Sequence, residues 1–373
     1  MQLEATDLLA INRGGVNYKV TGAELKDRSA LQPTDTIMVQ RGSTLYKVSL
    51  ETLTSSIGVL DPTDFILVQR GEEMFSLHPN LLPSLVPSLT MNLDSTGLGT
   101  SDRAISIAWS GARSPGGFVP QIQFPDSPNR DTYYFSAQGS TWFVPSQLGS
   151  GASRAVIYGA FDKIDFQNSQ ALVSAEQSSN GAFAAMIPNP DREFGLRLYA
   201  DCPKLTSVPL DIPWQSLGSA FKGCTVFNQD VAAINSTGVI NFRGTFESCT
   251  AFNRDISTWD VSSATDMGRI FFDCSSYNKT LNAWGSQLGN VITFQSAFNG
   301  CSIFNQPLNL WDVSGVRTLS PNAPGMDDMF KGTTNFNRDL SGWCVTNIPN
   351  EPFGFAQNSG LETANYPVWG TCP

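Results

Sequence analysis

Seven cysteines are the residues best placed by type to do chemistry: Cys202, Cys224, Cys249, Cys274, Cys301, Cys344 and Cys372. Thiolates ligate metals, attack electrophiles and pair as disulfides. No two of them form a Cys-x-x-Cys pair, so the spacing does not suit a zinc knuckle. Four instead stand three residues after a phenylalanine: Phe221-Lys-Gly-Cys224, Phe246-Glu-Ser-Cys249, Phe271-Phe-Asp-Cys274 and Phe298-Asn-Gly-Cys301. Tyr199-Ala-Asp-Cys202 fits in front, and Phe330-Lys-Gly-Thr333 follows with Thr in place of Cys. Stacked thiols could bind metal or form disulfides. The exchange for Thr333 favours the other reading, a small buried side chain repeated to fill a core column. Cys344 and Cys372 lie outside the column and can meet as a disulfide clasp, given an oxidising medium.

Other candidate groups are few. His78 is the only histidine, in Leu77-His78-Pro79, and reads as a loop residue. Glycoside hydrolysis needs two carboxylates at a defined separation in a cleft. Asp230, Asp255 and Asp339 recur at repeat positions instead, where bonding to a turn is the simpler role. Asp126, Asn129 and Asp131 lack EF-hand spacing. Trp109, Tyr133, Tyr134, Trp142 and Phe143 could make an aromatic sugar platform, though such residues more often form the core of a β domain. These residues lead us to expect no enzyme and no cofactor.

Composition narrows the partners. The net charge of −10 and the absence of Lys/Arg runs argue against nucleic acid. No apolar stretch approaches the ~20 residues needed to cross a bilayer, so membrane insertion is not expected. Met1-Gln2-Leu3-Glu4-Ala5-Thr6-Asp7 has neither the basic region nor the apolar core of a secretory signal. At 373 residues, rich in Phe, Gly and Pro but only 15% charged, the chain suits two or three β-rich modules with many turns.

Residues 1–90 hold three short repeats. Asp7-Leu-Leu-Ala-Ile-Asn-Arg13-Gly14 leads to Tyr18-Lys-Val20 and Leu25; Asp35-Thr-Ile-Met-Val-Gln-Arg41-Gly42 to Tyr46-Lys-Val48 and Leu53; Asp64-Phe-Ile-Leu-Val-Gln-Arg70-Gly71 to Phe75 and Leu82. The offsets are identical. Each unit reads as strand, Gly-containing turn, strand, then a short helix or turn. Arg13, Arg41 and Arg70 are either scaffold partners of nearby Asp residues or docking groups. The Asp-x-x-h-Val-x-Arg-Gly-x-x-x-Tyr-Lys-Val pattern (h, apolar) resembles N-terminal repeats of structural proteins from marine and cyanobacterial tailed phages. That resemblance implies attachment to a virion. Residues 91–154 are expected to form a small all-β region, with strands near Ile105–Trp109, Phe118–Phe124, Tyr133–Phe135 and Thr141–Val144.

From 155 to 373 the repeat lengthens to about 25 residues. Phe221, Phe246, Phe271, Phe298 and Phe330 head one column. Phe227-Asn228, Phe252-Asn253, Tyr277-Asn278, Phe304-Asn305 and Phe336-Asn337 form a second. Trp259, Trp284, Trp311 and Trp343 form a third, with Ile234 in the earliest place. Stacked coils bury such columns as apolar ladders, and the Asn side chains are expected to bond the turn backbone. An insertion, Ser320-Pro-Asn-Ala-Pro-Gly325, should project from one face, and coil 277–294 departs from the Trp-Asp-Val-Ser pattern. The run Phe-x-x-Cys-x-x-Phe-Asn-x-Asp-Ile-Ser-x-Trp-Asp-Val-Ser, clearest over 246–267, resembles the BspA-type leucine-rich repeat family, also described as the Mycoplasma-lipoprotein or lactobacillus surface repeat. The resemblance implies a right-handed leucine-rich solenoid, with a terminal cap, on surface adhesins.

Together the two resemblances point to a phage virion structural protein, assembled in the host cytoplasm and released outside it. Its N-terminus would dock on other virion proteins. Its solenoid would meet a host-surface protein or glycan, as a tail or neck fibre. A protein decorating the capsid or neck, and a glycan-active tail spike, are the alternatives. Appendages are usually symmetric homo-oligomers, so a trimer is the first expectation.

Overall fold

The computed structural model describes residues 8–13, 16–21, 36–41, 44–49, 64–70, 73–77, 88–94, 105–109, 121–123, 132–134, 139–143, 152–158, 166–177, 195–317 and 325–373. His78, Asp126, Asn129, Asp131, the Leu-ended segments after each N-terminal repeat and the insertion at 318–324 lie outside them.

Six strands belong to the N-terminal repeats: β1 (Leu8–Arg13), β2 (Val16–Thr21), β3 (Thr36–Arg41), β4 (Thr44–Ser49), β5 (Asp64–Arg70) and β6 (Glu73–Leu77). They pair antiparallel as β1–β2, β3–β4 and β5–β6, closing on Arg13↔Val16, Arg41↔Thr44 and Arg70↔Glu73. Two residues remain for each loop. Gly14, Gly42 and Gly71 open these loops, which is where a two-residue hairpin wants glycine. The β-branched and aromatic content of the flanking runs suits strands.

The first strands of the three hairpins also pair with one another. Ile11↔Ile37 and Asn12↔Thr36 join β1 to β3. Val39↔Ile66 and Gln40↔Phe65 join β3 to β5. Val68↔Leu9 and Gln69↔Leu8 join β5 back to β1. Counted from the start of each repeat, the same two positions meet at all three junctions.

The next strands are β7 (Ser88–Asp94), β8 (Ile105–Trp109), β9 (Gln121–Gln123), β10 (Thr132–Tyr134), β11 (Gly139–Phe143), β12 (Ala152–Tyr158) and β13 (Leu172–Gln177). Five form one sheet, ordered β10-β9-β12-β7-β13, and β8 pairs with β11. This sheet runs across residue 154, where the sequence suggested a module boundary: β12 straddles it and β13 lies beyond it. Trp109, Trp142 and Phe143 fall in the β8–β11 pair, whereas Tyr133 and Tyr134 belong to β10 of the five-stranded sheet.

β13 leads directly into the long repeats. Ser174 bridges Ser207 in parallel, and Ala175 N–H donates to the Ser207 carbonyl at 3.0 Å. Lys204 reaches back to Asp94 on β7, with Nζ 3.2 Å from the carboxylate. Leu93, Ala155, Leu172 and Ala175 share one buried core with Phe166 and Tyr199. The sheet thus covers the first end of the repeat stack.

From 195 to 373 successive repeats lie one on the next. Alternate backbone N–H groups divide their work. Leu217, Ser219, Phe221 and Gly223 donate to the carbonyls of Asn241, Arg243, Thr245 and Glu247 in the following repeat, at 2.7–3.0 Å. Between them, Ala220, Lys222 and Cys224 donate locally, to Leu217, Ser219 and Phe221. The same alternation recurs at 242–249, 267–274, 294–301 and 328–333. The backbone achieves it with two left-handed residues per repeat, four apart: Ser219 and Gly223, Gly244 and Ser248, Arg269 and Asp273, Ser296 and Gly300. Such alternation makes a ladder of turns. Among the described residues, the bridges between these repeats are single and parallel, Asn241↔Asp266 and Asp266↔Thr293. Among the described residues, no helix is long and apolar enough to cross a membrane.

Candidate functional site

The interior of the stack consists of columns. Phe166, Tyr199, Phe221, Phe246, Phe271, Phe298 and Phe330 stack ring on ring at 5.3–6.1 Å. Phe227, Phe252, Tyr277, Phe304 and Phe336 make a parallel column at 5.7–6.3 Å. Within one repeat the two columns touch, as at Phe246–Phe252, 3.8 Å apart. Offset aromatic stacking adds to the large burial of these rings. Trp259, Trp284, Trp311 and Trp343 are buried beside them. Each indole N–H donates to a carbonyl one repeat back, on Val231, Ile256, Leu281 and Leu308, at 2.9–3.2 Å. Ile234 takes the same local place as these tryptophans, its N–H bonded to Val231 as that of Trp259 is to Ile256. The atypical coil holds a 3-10 segment, Asn282–Asn290, broken at Gly285, and still delivers Trp284 to its column.

Cys202, Cys224, Cys249, Cys274 and Cys301 are free thiols buried in the same core. They are more than apolar filler. Each Sγ–H donates to the carbonyl of the ring-bearing residue one repeat earlier: Phe166, Tyr199, Phe221, Phe246 and Phe271, at 2.8–3.1 Å. Thr333 behaves differently and donates to Phe330 in its own repeat. Burial pushes the thiols of Cys224, Cys249, Cys274 and Cys301 well above the usual range, so they stay protonated and poorly nucleophilic.

Polar columns run alongside. The expected Asn bonds to the turn are in fact bonds between repeats. The Oδ1 atoms of Asn228, Asn253, Asn278 and Asn305 accept from the backbone N–H of Asn253, Asn278, Asn305 and Asn337 at 3.0–3.3 Å. Asp230, Asp255 and Asp339 each accept the N–H two residues on, at 2.9–3.0 Å, inside their own turns. Asp260 and Asp312 do the same for Ser262 and Ser314.

The outward face of the turn ladder gathers charge across three repeats. Glu247 is nearly buried and accepts two bonds from Arg269, at 2.8 and 2.9 Å. Lys222 approaches the same carboxylate at 3.2 Å. Burial raises the Glu247 carboxyl, but the bonds from Arg269 and Lys222 outweigh it and hold it below the ordinary value. The Arg269 guanidinium lies 3.8 Å above the Phe272 ring. Arg243 and Asp266 stand 3.7 Å apart nearby. Together these groups make a mixed cationic, acidic and aromatic patch. Lys222, Glu247 and Phe272 share the place directly after a column phenylalanine, but their types differ from repeat to repeat, so the sequence shows no column there.

The far end of the stack is closed by a different device. Cys344 and Cys372 are joined as a disulfide. Phe330 N–H donates to Phe355, so Ala356 takes the place in the last coil that a large ring holds elsewhere. Phe355, turned edge-on to Phe330, ends the aromatic column and packs against Tyr366 and Trp369. Pro352 stands where Leu217 offers an N–H to its neighbour, and proline has none to offer.

Arg13, Arg41 and Arg70 each end the first strand of a hairpin, and the register sets Arg41 opposite Asp64. The structure thus puts these arginines in one module and the ring and thiol columns in another.

Comparison with known proteins bears on the stack alone. No curated protein matches the chain. No solved structure matches it either. Residues 215–323 and 287–369 match the family described as Mycoplasma protein of unknown function, DUF285. The two overlapping matches cover the ring and thiol columns from Phe221 onward and the tryptophan column, and that part of the chain fits a Mycoplasma or BspA-type surface repeat domain.

Proposed function

We propose that this chain is a non-catalytic phage virion structural protein, docked on the particle by its N-terminal repeats and recognising the host surface through its long-repeat stack. In this reading the stack is a leucine-rich-repeat-like solenoid, carried on the tail or neck as an adhesin. The observation that carries it is a division of labour. The interior groups of the stack bond one another repeat by repeat, which leaves the outward face free to vary. That face holds the Lys222, Glu247, Arg269 and Phe272 patch. A planar guanidinium stacked on a half-buried ring suits protein or glycan partners. Asp230, Asp255 and Asp339 are engaged in their own turns, which supports binding over hydrolysis.

The test is to image intact particles with this chain labelled, and to add purified chain to host cells before infection. The reading expects label on tail or neck and reduced adsorption. Label over the head lattice would instead favour a decorating protein, and release of reducing ends from host polysaccharide would overturn the non-catalytic role.

A further inference from the structure

The N-terminal hairpins form a ring closed within one chain. Each of β1, β3 and β5 pairs on one flank with its own hairpin partner. On the other flank, one end of each strand pairs with the preceding first strand and the other end with the following one. The last junction returns to the first, as Val68↔Leu9 and Gln69↔Leu8. Among the described residues, both flanks of every first strand are engaged within the one chain. A trimer of chains is therefore not needed to complete the sheet.

The three junctions use equivalent residues. The pairs are Ile11↔Ile37, Val39↔Ile66 and Val68↔Leu9, then Asn12↔Thr36, Gln40↔Phe65 and Gln69↔Leu8. The hairpin registers agree as well: Leu9↔Val20, Ile37↔Val48 and Ile66↔Leu77 are the same step of each repeat. The module has cyclic three-fold order at the level of backbone pairing. Three outer strands, β2, β4 and β6, recur around it. Among the described residues each outer strand pairs only with its own hairpin partner.

We infer that this module is a one-chain plug for a three-fold seat, so that a single copy of the chain docks on a ring of three identical partner subunits. A lone partner subunit could match only one hairpin. Three identical subunits about an axis match all three at once, and each later contact forms at high effective concentration after the first. One-sided docking would leave two of the three hairpins without a partner, and their shared spacing would serve only internal packing. The identity of the seat as a virion site rests on the function proposed above. Closure within one chain does not.

Two measurements test it. Native mass spectrometry of the purified full chain should give the single-chain mass of 40.4 kDa. Three times that mass overturns the plug. Asymmetric cryo-electron microscopy of the particle should then show one chain on a three-fold axis, facing three copies of one subunit. A chain off any axis, or three chains around one, overturns the seat while leaving the virion role intact. Absence of the chain from particles defeats the virion role itself. Inserting residues between the strands of one hairpin at a time, after Arg13, Arg41 or Arg70, provides a functional arm, with solubility and mass checked first. Copies per particle should fall by similar factors, within about twofold of one another, as expected of three equal contacts. Loss confined to one loop overturns the equivalence.

Discussion

The column cysteines show why a small thiol is repeated where alanine would also fit. The Phe221 carbonyl receives the Cys224 N–H at 3.0 Å and the Cys249 thiol at 2.9 Å. Both lone pairs of a buried carbonyl are thus used, one within the repeat and one between repeats. Cys249→Ala should lower unfolding stability by about 1–2 kcal/mol, from the lost weak bond and the small cavity, as read by urea denaturation. A variant as stable as the parent would return the thiol to mere filler. Burial also sets a pH response. The thiols of Cys224, Cys249, Cys274 and Cys301 titrate higher folded than unfolded. Their stabilising effect is therefore complete below the unfolded thiol range, about pH 8.5–9, and is lost as pH rises above it. Each thiol should remove about 1.4 kcal/mol per pH unit there, and a flat stability profile between about pH 8 and 10.5 would exclude it. Tyr277 offers the converse case. Its ring stacks in the second column, while its hydroxyl is buried without a hydrogen-bond partner among the described residues. Tyr277→Phe should keep the column and raise stability by up to about 1 kcal/mol, measured as a higher urea midpoint. The spacing of 25 residues says which side chains share a column. It cannot say where a thiol or hydroxyl hydrogen goes, because that depends on how neighbouring repeats are offset.

At the scale of the element, the ladder of turns accounts for residues that the columns leave unexplained. Each repeat needs a left-handed residue two before and two after its column position, and glycine is the ordinary solution. Gly223 has φ +73°, and an added Cβ would stand 2.6 Å from Asp201 Oδ1. Gly300, at φ +79°, meets Asp273 in the same way three repeats further on. The aspartates occupy the same left-handed place as the glycines, so an acidic repeat is followed by one with no side chain there. Gly300→Ala combines a left-handed Cβ penalty with displacement of that carboxylate. It should lower stability by about 2 kcal/mol or more, readable as a fall in melting temperature. An unchanged melting temperature would mean that the Asp273 side chain swings aside freely. The resemblance to leucine-rich repeats implies a repeating coil, but the residues of this ladder run through turns with only single bridges between repeats. The signal was present as Gly, Ser, Asn and Asp recurring at those two places. Arg197 and Arg269, which are also left-handed, interrupt the pattern and conceal it. The charged patch was harder to read for a related reason. Lys222 and Glu247 share one step of successive repeats but differ in type, Arg269 comes from another step of the next repeat, and the three meet because the repeats stack.

At the scale of the molecule, a stack of repeats is stable only if its two ends are closed, since each coil otherwise depends on a neighbour that is missing. The first end rests on the sheet that contains β7 and β13, through Lys204–Asp94 and the Ser174–Ser207 bridge. The last end has no sheet. There Ala356 replaces a ring, Pro352 withdraws a donor, and Trp369 and Tyr366 cover Phe355. Val345 N–H donates to Thr371 and Gly370 N–H to Ile348, so the chain end folds back on the coil. The Cys344–Cys372 disulfide closes this segment over a separation of 28 residues. In the chain-entropy account a loop of that length stabilises the folded state by about 3–4 kcal/mol. That gain belongs to the terminal coil first, because repeats interact mainly with nearest neighbours. Cys344→Ser, or reduction by a dithiol, should therefore loosen residues 345–371 before anything else. Amide hydrogen exchange should show faster exchange at Val345, Ile348, Phe355 and Gly370. The ladder amides Phe221, Phe246 and Phe271 should keep their protection at the same pH and temperature. If reduction instead lowers protection evenly from 217 to 371, the stack unfolds as one cooperative body and the clasp stabilises all of it.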